Sequence, residues 1–246
     1  MDGTKRVFLT GCSRGIGLSI AKASIAKKWE VTGTARKSEF PKSLNDSDRF
    51  SGVYADLAFP EKLESLLKPE LLKSSPDVLI NNAGIFTDAG FEADDDHWLD
   101  VWNRTQHVNL TSAALLCKWF IQMHVQNNTE GIIINIASRA SYRGDTQEYS
   151  AYAASKAGLV GLTKSIARGY SNKGVVAYSI APGFIETDMA KDAVELLGKE
   201  HITRDSVFDE ITQPDEVAEL VVFLAKGRVR HATGQTFHIN GGSYMI

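Results

Sequence analysis

The sequence predicts an α/β fold, a single domain on a doubly wound parallel sheet of about seven strands. Three observations carry that expectation. Short β-branched runs alternate with longer helical patterns along all 246 residues. Most of those runs are continuously apolar, which marks strands covered on both faces. Strands alternating with helices require right-handed crossovers, and therefore parallel pairing. No low-complexity linker and no internal repeat divides residues 1–246. One unit is expected, because α/β chains often reach this length undivided.

The first strand, Val7–Thr10, runs into a glycine-rich loop and then a helix over Gly15–Lys28. Val31–Ala35 and Gly52–Ala55 are the next strands, and a helix spans Pro60–Lys73. Val78–Asn81 is a fully apolar run closed by asparagines, and a long helical pattern covers Asp94–Gln126. The run Ile132–Ala137 predicts a central strand, followed by a helix over Ser150–Ser171. Val175–Ile180, a helix over Pro214–Ala225 and a last strand, Thr236–Ile239, complete the alternation. One connection breaks the pattern: Phe184–Thr212 is long and charged, and leaves the carboxyl end of a strand. Ligand crevices of open α/β sheets lie at such ends, so residues 184–212 are read as a substrate lid.

Composition narrows the function. Apolar residues make up 43% and charged residues 23%, as in an ordinary globular protein. The net charge of −3 gives no global basic field for nucleic acid. The short cluster Lys226, Arg228, Arg230 and His231 precedes a turn and is read as a solvated loop. The two cysteines, Cys12 in the glycine loop and Cys117 in a helical run, make no disulfide framework, so a cytoplasmic setting is expected. The six histidines are scattered, and no metal site is expected. The amino terminus lacks the apolar core of a signal peptide, and no apolar run is long enough to span a membrane.

Gly11, Gly15 and Gly17 sit between the first strand and the first helix. Glycines there permit a tight turn and let backbone amides approach an anion at a helix amino terminus. The next strand ends in Thr34-Ala35-Arg36-Lys37. An acidic side chain near that point would accept from a ribose 2′-hydroxyl. Here Arg36, with Arg14 in the glycine loop, suits a 2′-phosphate instead, which favours NADP(H) over NAD(H). Glu39 is the nearby carboxylate that keeps NAD(H) open.

Tyr152 and Lys156 lie four residues apart, on one face of a helix. A tyrosine hydroxyl has an ordinary pKa of about 10, and reaching about 7 needs about 4 kcal/mol of preference for the phenolate. The Lys156 ammonium and an oxidised nicotinamide are expected to supply it. Tyr152 would then protonate the alkoxide formed as hydride reaches a ketone carbon. Ser138, at the carboxyl end of the central strand, would hold the substrate oxygen beside it.

Together these residues resemble the short-chain dehydrogenase/reductase family. The resemblance rests on TGCSRGIG (Thr10–Gly17), NNAG (Asn81–Gly84), NIAS (Asn135–Ser138), YAASK (Tyr152–Lys156), IAPGFIETDM (Ile180–Met189) and ATGQTFHINGG (Ala232–Gly242). It covers essentially the whole chain and implies a Rossmann-type domain. It implies that Ser138, Tyr152 and Lys156 form the catalytic triad, and that Asn109 helps carry a water-linked proton path to the lysine. It implies a cofactor site from Gly11, Ser13, Arg14, Gly15, Ile16 and Gly17, with Arg36. Asp56 and Leu57 would meet the adenine, and Asn82, Ala83 and Gly84 the adenosine-side ribose. Lys156 would bond the nicotinamide ribose, with Tyr152 alongside. Pro182, Gly183, Ile185 and Thr187 would wall the carboxamide.

Within the family the chain is most similar to the 3-oxoacyl-acyl-carrier-protein reductases, through Ser13-Arg14, Gly33-Thr34-Ala35 and Asn240-Gly241-Gly242. That likeness implies a ketone-to-alcohol reduction in fatty acid biosynthesis, an acyl carrier protein as partner and a homotetramer. Trp98, Trp102, Leu115 and Trp119 suit either an interface or the core. Of the two basic positions implied for carrier docking, Lys173 matches, while the other reads Thr129-Glu130. The loop from Ser138 to Tyr152, with Arg139, Arg143, Asp145 and Glu148, fits a polar substrate better than a long acyl chain. A dehydrogenase of sugars, polyols or other small polar alcohols is therefore the alternative. A non-catalytic nucleotide-binding protein is a second.

Overall fold

The computed structural model describes residues 4–37, 39–187, 200 and 203–245. Seven parallel strands form one sheet: β1 (Arg6–Leu9), β2 (Glu30–Ala35), β3 (Phe50–Tyr54), β4 (Val78–Asn81), β5 (Gly131–Ile136), β6 (Val175–Pro182) and β7 (Thr236–Ile239). Their order is β3-β2-β1-β4-β5-β6-β7, so winding reverses between β1 and β4. That switch point opens a crevice at the carboxyl ends of the strands.

Alternate residues of the central strands β1, β4, β5 and β6 feed two cores. Val7, Leu9, Ile80, Ile134 and Ile180 pack on one face, against Ile20 of α1 (Gly15–Ala26) and Val217 and Val221 of the helix Pro214–Ala225. Phe8, Leu79, Ile133 and Ala177 pack on the other. There they meet Leu63 of α3 (Pro60–Leu66), Leu71 of α4 (Lys68–Ser74), Phe120 of α6 (Ser112–Asn127) and Ile166 of α8 (Ser150–Tyr170). Burial on both faces explains why the strands read as unbroken apolar runs. The short helix α2 (Lys42–Asn45) packs its buried Leu44 into the first core.

Two helices depart from expectation. The Pro60–Lys73 pattern breaks at Leu67, where φ reaches −104°. Pro69 follows two residues later and has no N–H to continue the ladder. The Asp94–Gln126 pattern splits into α5 (Asp95–Gln106), a π-helical turn over His107–Thr111, and α6. Asp94 caps α5 by accepting from the His97 amide at 3.0 Å. A short helix absent from the sequence pattern, α7 (Ala140–Arg143), follows β5. Of the four candidate interface residues, Trp119 is core, while Trp98 and Trp102 stack with ring centres 5.1 Å apart and, like Leu115, are half-buried. Residues 188–199 and 201–202 of the expected lid lie outside the described residues.

Candidate active site

The glycine loop leaves β1 beneath the switch point. Gly11 has φ of +70°, and a Cβ there would lie 2.9 Å from the Ala83 Cα. A Cβ on Gly17 would lie 2.0 Å from the Gly11 carbonyl oxygen. Only glycine lets the loop and the start of α1 close so tightly. Asn82 clamps the turn: its Nδ2 donates to the carbonyls of Thr10 at 3.0 Å and Gly11 at 2.9 Å. Thr10 Oγ1 accepts in return from the amides of Asn82 and Ala83. The residue read as a ribose contact is therefore also a structural brace of the phosphate loop.

A cleft of about 300 Å³ runs from this loop to the far side of β4. Gly11, Ser13, Arg14, Gly15, Ile16 and Gly17 line one end, together with Arg36, Asp56 and Leu57. Asn82, Ala83 and Gly84 continue the lining from the loop, Tyr152 and Lys156 follow beyond Gly84, and Thr187 lies against Gly15. Glu39 is not on this surface. Arg14 and Arg36 are exposed and share the end bounded by the β2 and β3 carboxyl termini. Asp56 turns one oxygen to the Ala58 amide at 3.0 Å, which fixes the loop after β3. Pro182, Gly183 and Ile185 lie off the cleft wall and frame the segment that brings Thr187 to it. The Gly183 amide donates to the Ile239 carbonyl at 3.0 Å, and Ile185 bridges to Thr212. Thr34, Ala35, Ala55, Ile85, Val108 and Ile136 also line the cleft. Small or apolar residues at strand ends carry no chemical signal of their own in a sequence.

At the inner end the acid–base groups meet. Tyr152 and Lys156 share the inner face of α8, and Ser138 lies just beyond β5. The Lys156 amine is 4% exposed and donates to the Ile136 carbonyl at 2.8 Å. Burial brings its pKa down to about 8. The Tyr152 phenol lies beside the Ser138 hydroxyl. Burial raises the Tyr152 pKa, outweighing the lowering by Ser138, with Asp145 adding to the rise. The expected lowering calls on an oxidised nicotinamide as well as Lys156, and in the protein alone burial works against it. Ser138 Oγ also accepts from the Ala140 amide at 3.1 Å, so α7 orients it.

Asn109 sits in the π-helical turn, 1% exposed. Its Oδ1 accepts from the Ile85 amide at 2.8 Å. Its Nδ2 donates to the Ile85 carbonyl and to Ser155 Oγ, each at 3.0 Å. The extra residue of the turn aims this side chain at the loop after β4, a frequent use of such bulges at functional sites. A Cβ on Gly84 would lie 3.3 Å from Lys156 Nζ and 3.4 Å from Asn109 Oδ1, so both flank the same space. Among the described residues no cluster of side chains could hold a metal ion, and no helix is long and apolar enough to cross a membrane.

The cleft fits a dinucleotide: a glycine cradle that any Cβ would fill, two guanidiniums at one end, and a phenol with an amine at the other. Comparison with known proteins agrees. A family model described as enoyl-(acyl carrier protein) reductase matches residues 11–244. The 3-oxoacyl-[acyl-carrier-protein] reductase of Vibrio cholerae is 35% identical, over 98% of both chains. That of Escherichia coli is 34% identical over the same shares. A putative gluconate 5-dehydrogenase from Beutenbergia cavernae with bound NADP superposes with a TM-score of 0.88 at 30% identity, covering 97% of this chain and 96% of that one. A 4-hydroxyisoleucine dehydrogenase complexed with NADH gives 0.89 at 27% identity, covering 98% of each.

Proposed function

Since the chain belongs to the short-chain dehydrogenase/reductase family, and is thus an NAD(P)-dependent oxidoreductase acting on CH–OH groups, we propose that it is an NADP(H)-dependent ketone reductase whose substrate is a 3-oxoacyl thioester. The observation that carries the reaction is the placement of the Tyr152 phenol beside Ser138, one helical turn from the buried amine of Lys156. A reduced nicotinamide held in the cleft would supply the hydride and leave oxidised. Ser138 Oγ holds the carbonyl oxygen, and Tyr152 gives its proton to that oxygen as the alkoxide forms. Lys156, fixed to the Ile136 carbonyl, then faces the phenolate and stabilises it by charge. Reprotonation runs through the space at Gly84 that Lys156 and Asn109 share. Asn109 holds the β4 loop against α8 and so keeps that space open.

Arg14 and Arg36, at the end of the cleft away from Tyr152, support NADP(H). The identity to 3-oxoacyl-acyl-carrier-protein reductases supports the acyl substrate. Carrier docking has weaker support. Lys173 lies over the Tyr170 ring, and Glu130 forms an ion pair with Arg230, which spends a basic charge at that site. The stacked Trp98–Trp102 pair, with the 67% exposed Phe91 beside it, supports a homotetramer. The structural likeness to gluconate 5-dehydrogenase favours a second reading, a small polyhydroxy acid or ketone as substrate. The complete acid–base set argues against a non-catalytic nucleotide-binding role.

The deciding experiment is ketone-dependent NADPH oxidation by wild type and Tyr152→Phe. Loss of at least about a hundredfold in kcat with NADPH affinity unchanged is expected for a removed general acid. Near wild-type turnover would exclude Tyr152 as the proton donor.

A further inference from the structure

The sheet order β4-β5-β6 puts the Ser138 loop between the loops after β4 and β6. Each flanking loop carries one phenylalanine. After β4, Phe86 meets the Tyr152 ring edge-on, with centres 4.8 Å apart at 90°. After β6, Phe184 stands two residues beyond Pro182, whose carbonyl accepts from the Arg139 amide at 2.9 Å. Phe86 is 36% exposed and Phe184 37%. Two large apolar rings thus stand partly bare on the two sides of the reacting hydroxyls.

Each ring is propped by a second side chain. Tyr149 stacks on Phe86 with ring centres 3.7 Å apart and 9° between planes. The Ala89 amide donates to the Glu148 carbonyl at 2.8 Å, tying the two loops together. On the opposite side the Arg139 guanidinium lies 4.7 Å over the Phe184 ring. Arg139 is itself 7% exposed and donates to Ser243 Oγ at 2.7 Å. Arg143 pairs with Asp205 at 3.5 Å. Arg139 is therefore turned to internal partners and Arg143 to a carboxylate at the surface. Phe86 and Phe184 are left as large apolar surface on either side of the Ser138 loop, with Asp145 an exposed charge nearby.

We propose that Phe86 and Phe184, propped by Tyr149 and Arg139, form an aromatic slot that selects ketones with an apolar flank and rejects polyhydroxy ketones. The inference rests on the reductase reading and deepens it. A hydroxylated chain between the rings would lose its water without gaining partners, whereas an alkyl or acyl chain gains by burial. Phe86 and Phe184 are specificity-determining, while Tyr149 and Arg139 are positioning residues.

The test compares kcat/KM for 2-octanone with kcat/KM for fructose, with NADPH saturating. Wild type is expected to prefer 2-octanone. Phe86→Ser and Phe184→Ser are expected to lower that preference by about tenfold or more, chiefly through the KM for 2-octanone, as for loss of pocket contacts to an apolar group. Phe184→Leu is expected to restore most of it. A wild type that prefers fructose, or serine variants with an unchanged preference, would overturn the slot. If neither ketone is reduced, the reductase reading is what fails. The slot is then read by titrating 2-octanone into NADP⁺-loaded Tyr152→Phe. Binding weakened about tenfold by either serine substitution supports it, and absent or unaltered binding refutes it.

Discussion

The Nζ of Lys156 donates to the carbonyl of Ile136 at 2.8 Å, which pins the amine of α8 to the last residue of β5. This contact sets the depth of the acid–base pair relative to Ser138, two residues further on. It also keeps a cation in a dry place.

That burial has a pH signature. The folded pKa of Lys156 is about 8, below its ordinary 10.5. A lowered lysine pKa means the fold disfavours the charged form. The penalty is fully present below pH 8 and disappears as the pH rises toward 10.5, where the unfolded chain also loses its proton. Stability should therefore rise by about 3 kcal/mol across that window from this group alone. Urea unfolding of wild type and Lys156→Met between pH 7 and pH 10.5 checks it. The wild-type slope should exceed that of the variant, and parallel curves would contradict the assignment.

Asn109 satisfies the amide and carbonyl of Ile85 and bonds Ser155. Asn109→Leu removes all three bonds and orphans the half-buried amide and carbonyl of Ile85. A loss of about 2–4 kcal/mol of stability is expected, given about 1–3 kcal/mol for each unsatisfied group. Chemical denaturation reads it directly. Turnover should fall further than the residual folded fraction explains.

The start of α1 is equally sensitive. A methyl at Gly17 would sit 2.0 Å from the Gly11 carbonyl oxygen and 2.6 Å from Asn82 Nδ2. Gly17→Ala should displace the loop, costing about 1–3 kcal/mol as overpacking does. Nucleotide binding should fall more than stability, since the displaced loop lines the cleft. Thermal melts with and without NADPH separate the two, and the variant should show little ligand-induced shift.

Arg36 stands exposed on the cleft wall at the end of β2. Arg36→Asp should weaken NADPH by about tenfold or more, the scale of one charge-assisted hydrogen bond, and should improve NADH. Fluorescence titration of both nucleotides gives the answer. A wild type that already binds NADH more tightly would remove the electrostatic argument.

The sequence by itself determined the sheet, the glycine loop and the placing of Tyr152 and Lys156 on one helix face. Unbroken apolar runs such as Ile132–Ile134 allow few environments other than a strand buried on both faces. Gly11, Gly15 and Gly17, and likewise Tyr152 and Lys156, are brought together by spacing along one local element. Only the tertiary structure decided the rest. The π-helical turn at His107–Thr111 hides inside a continuous helical pattern, because it answers to Ile85, 24 residues away. Asn82 became a brace only when β4 lay beside β1. The direction of the Tyr152 shift depended on how much water packing excludes, which no spacing encodes. The loop arginines looked free for a substrate until folding gave Arg139 a ring and a hydroxyl and Arg143 a carboxylate. Local pattern fixes what a residue can do, and contacts between distant segments fix which of those things it does.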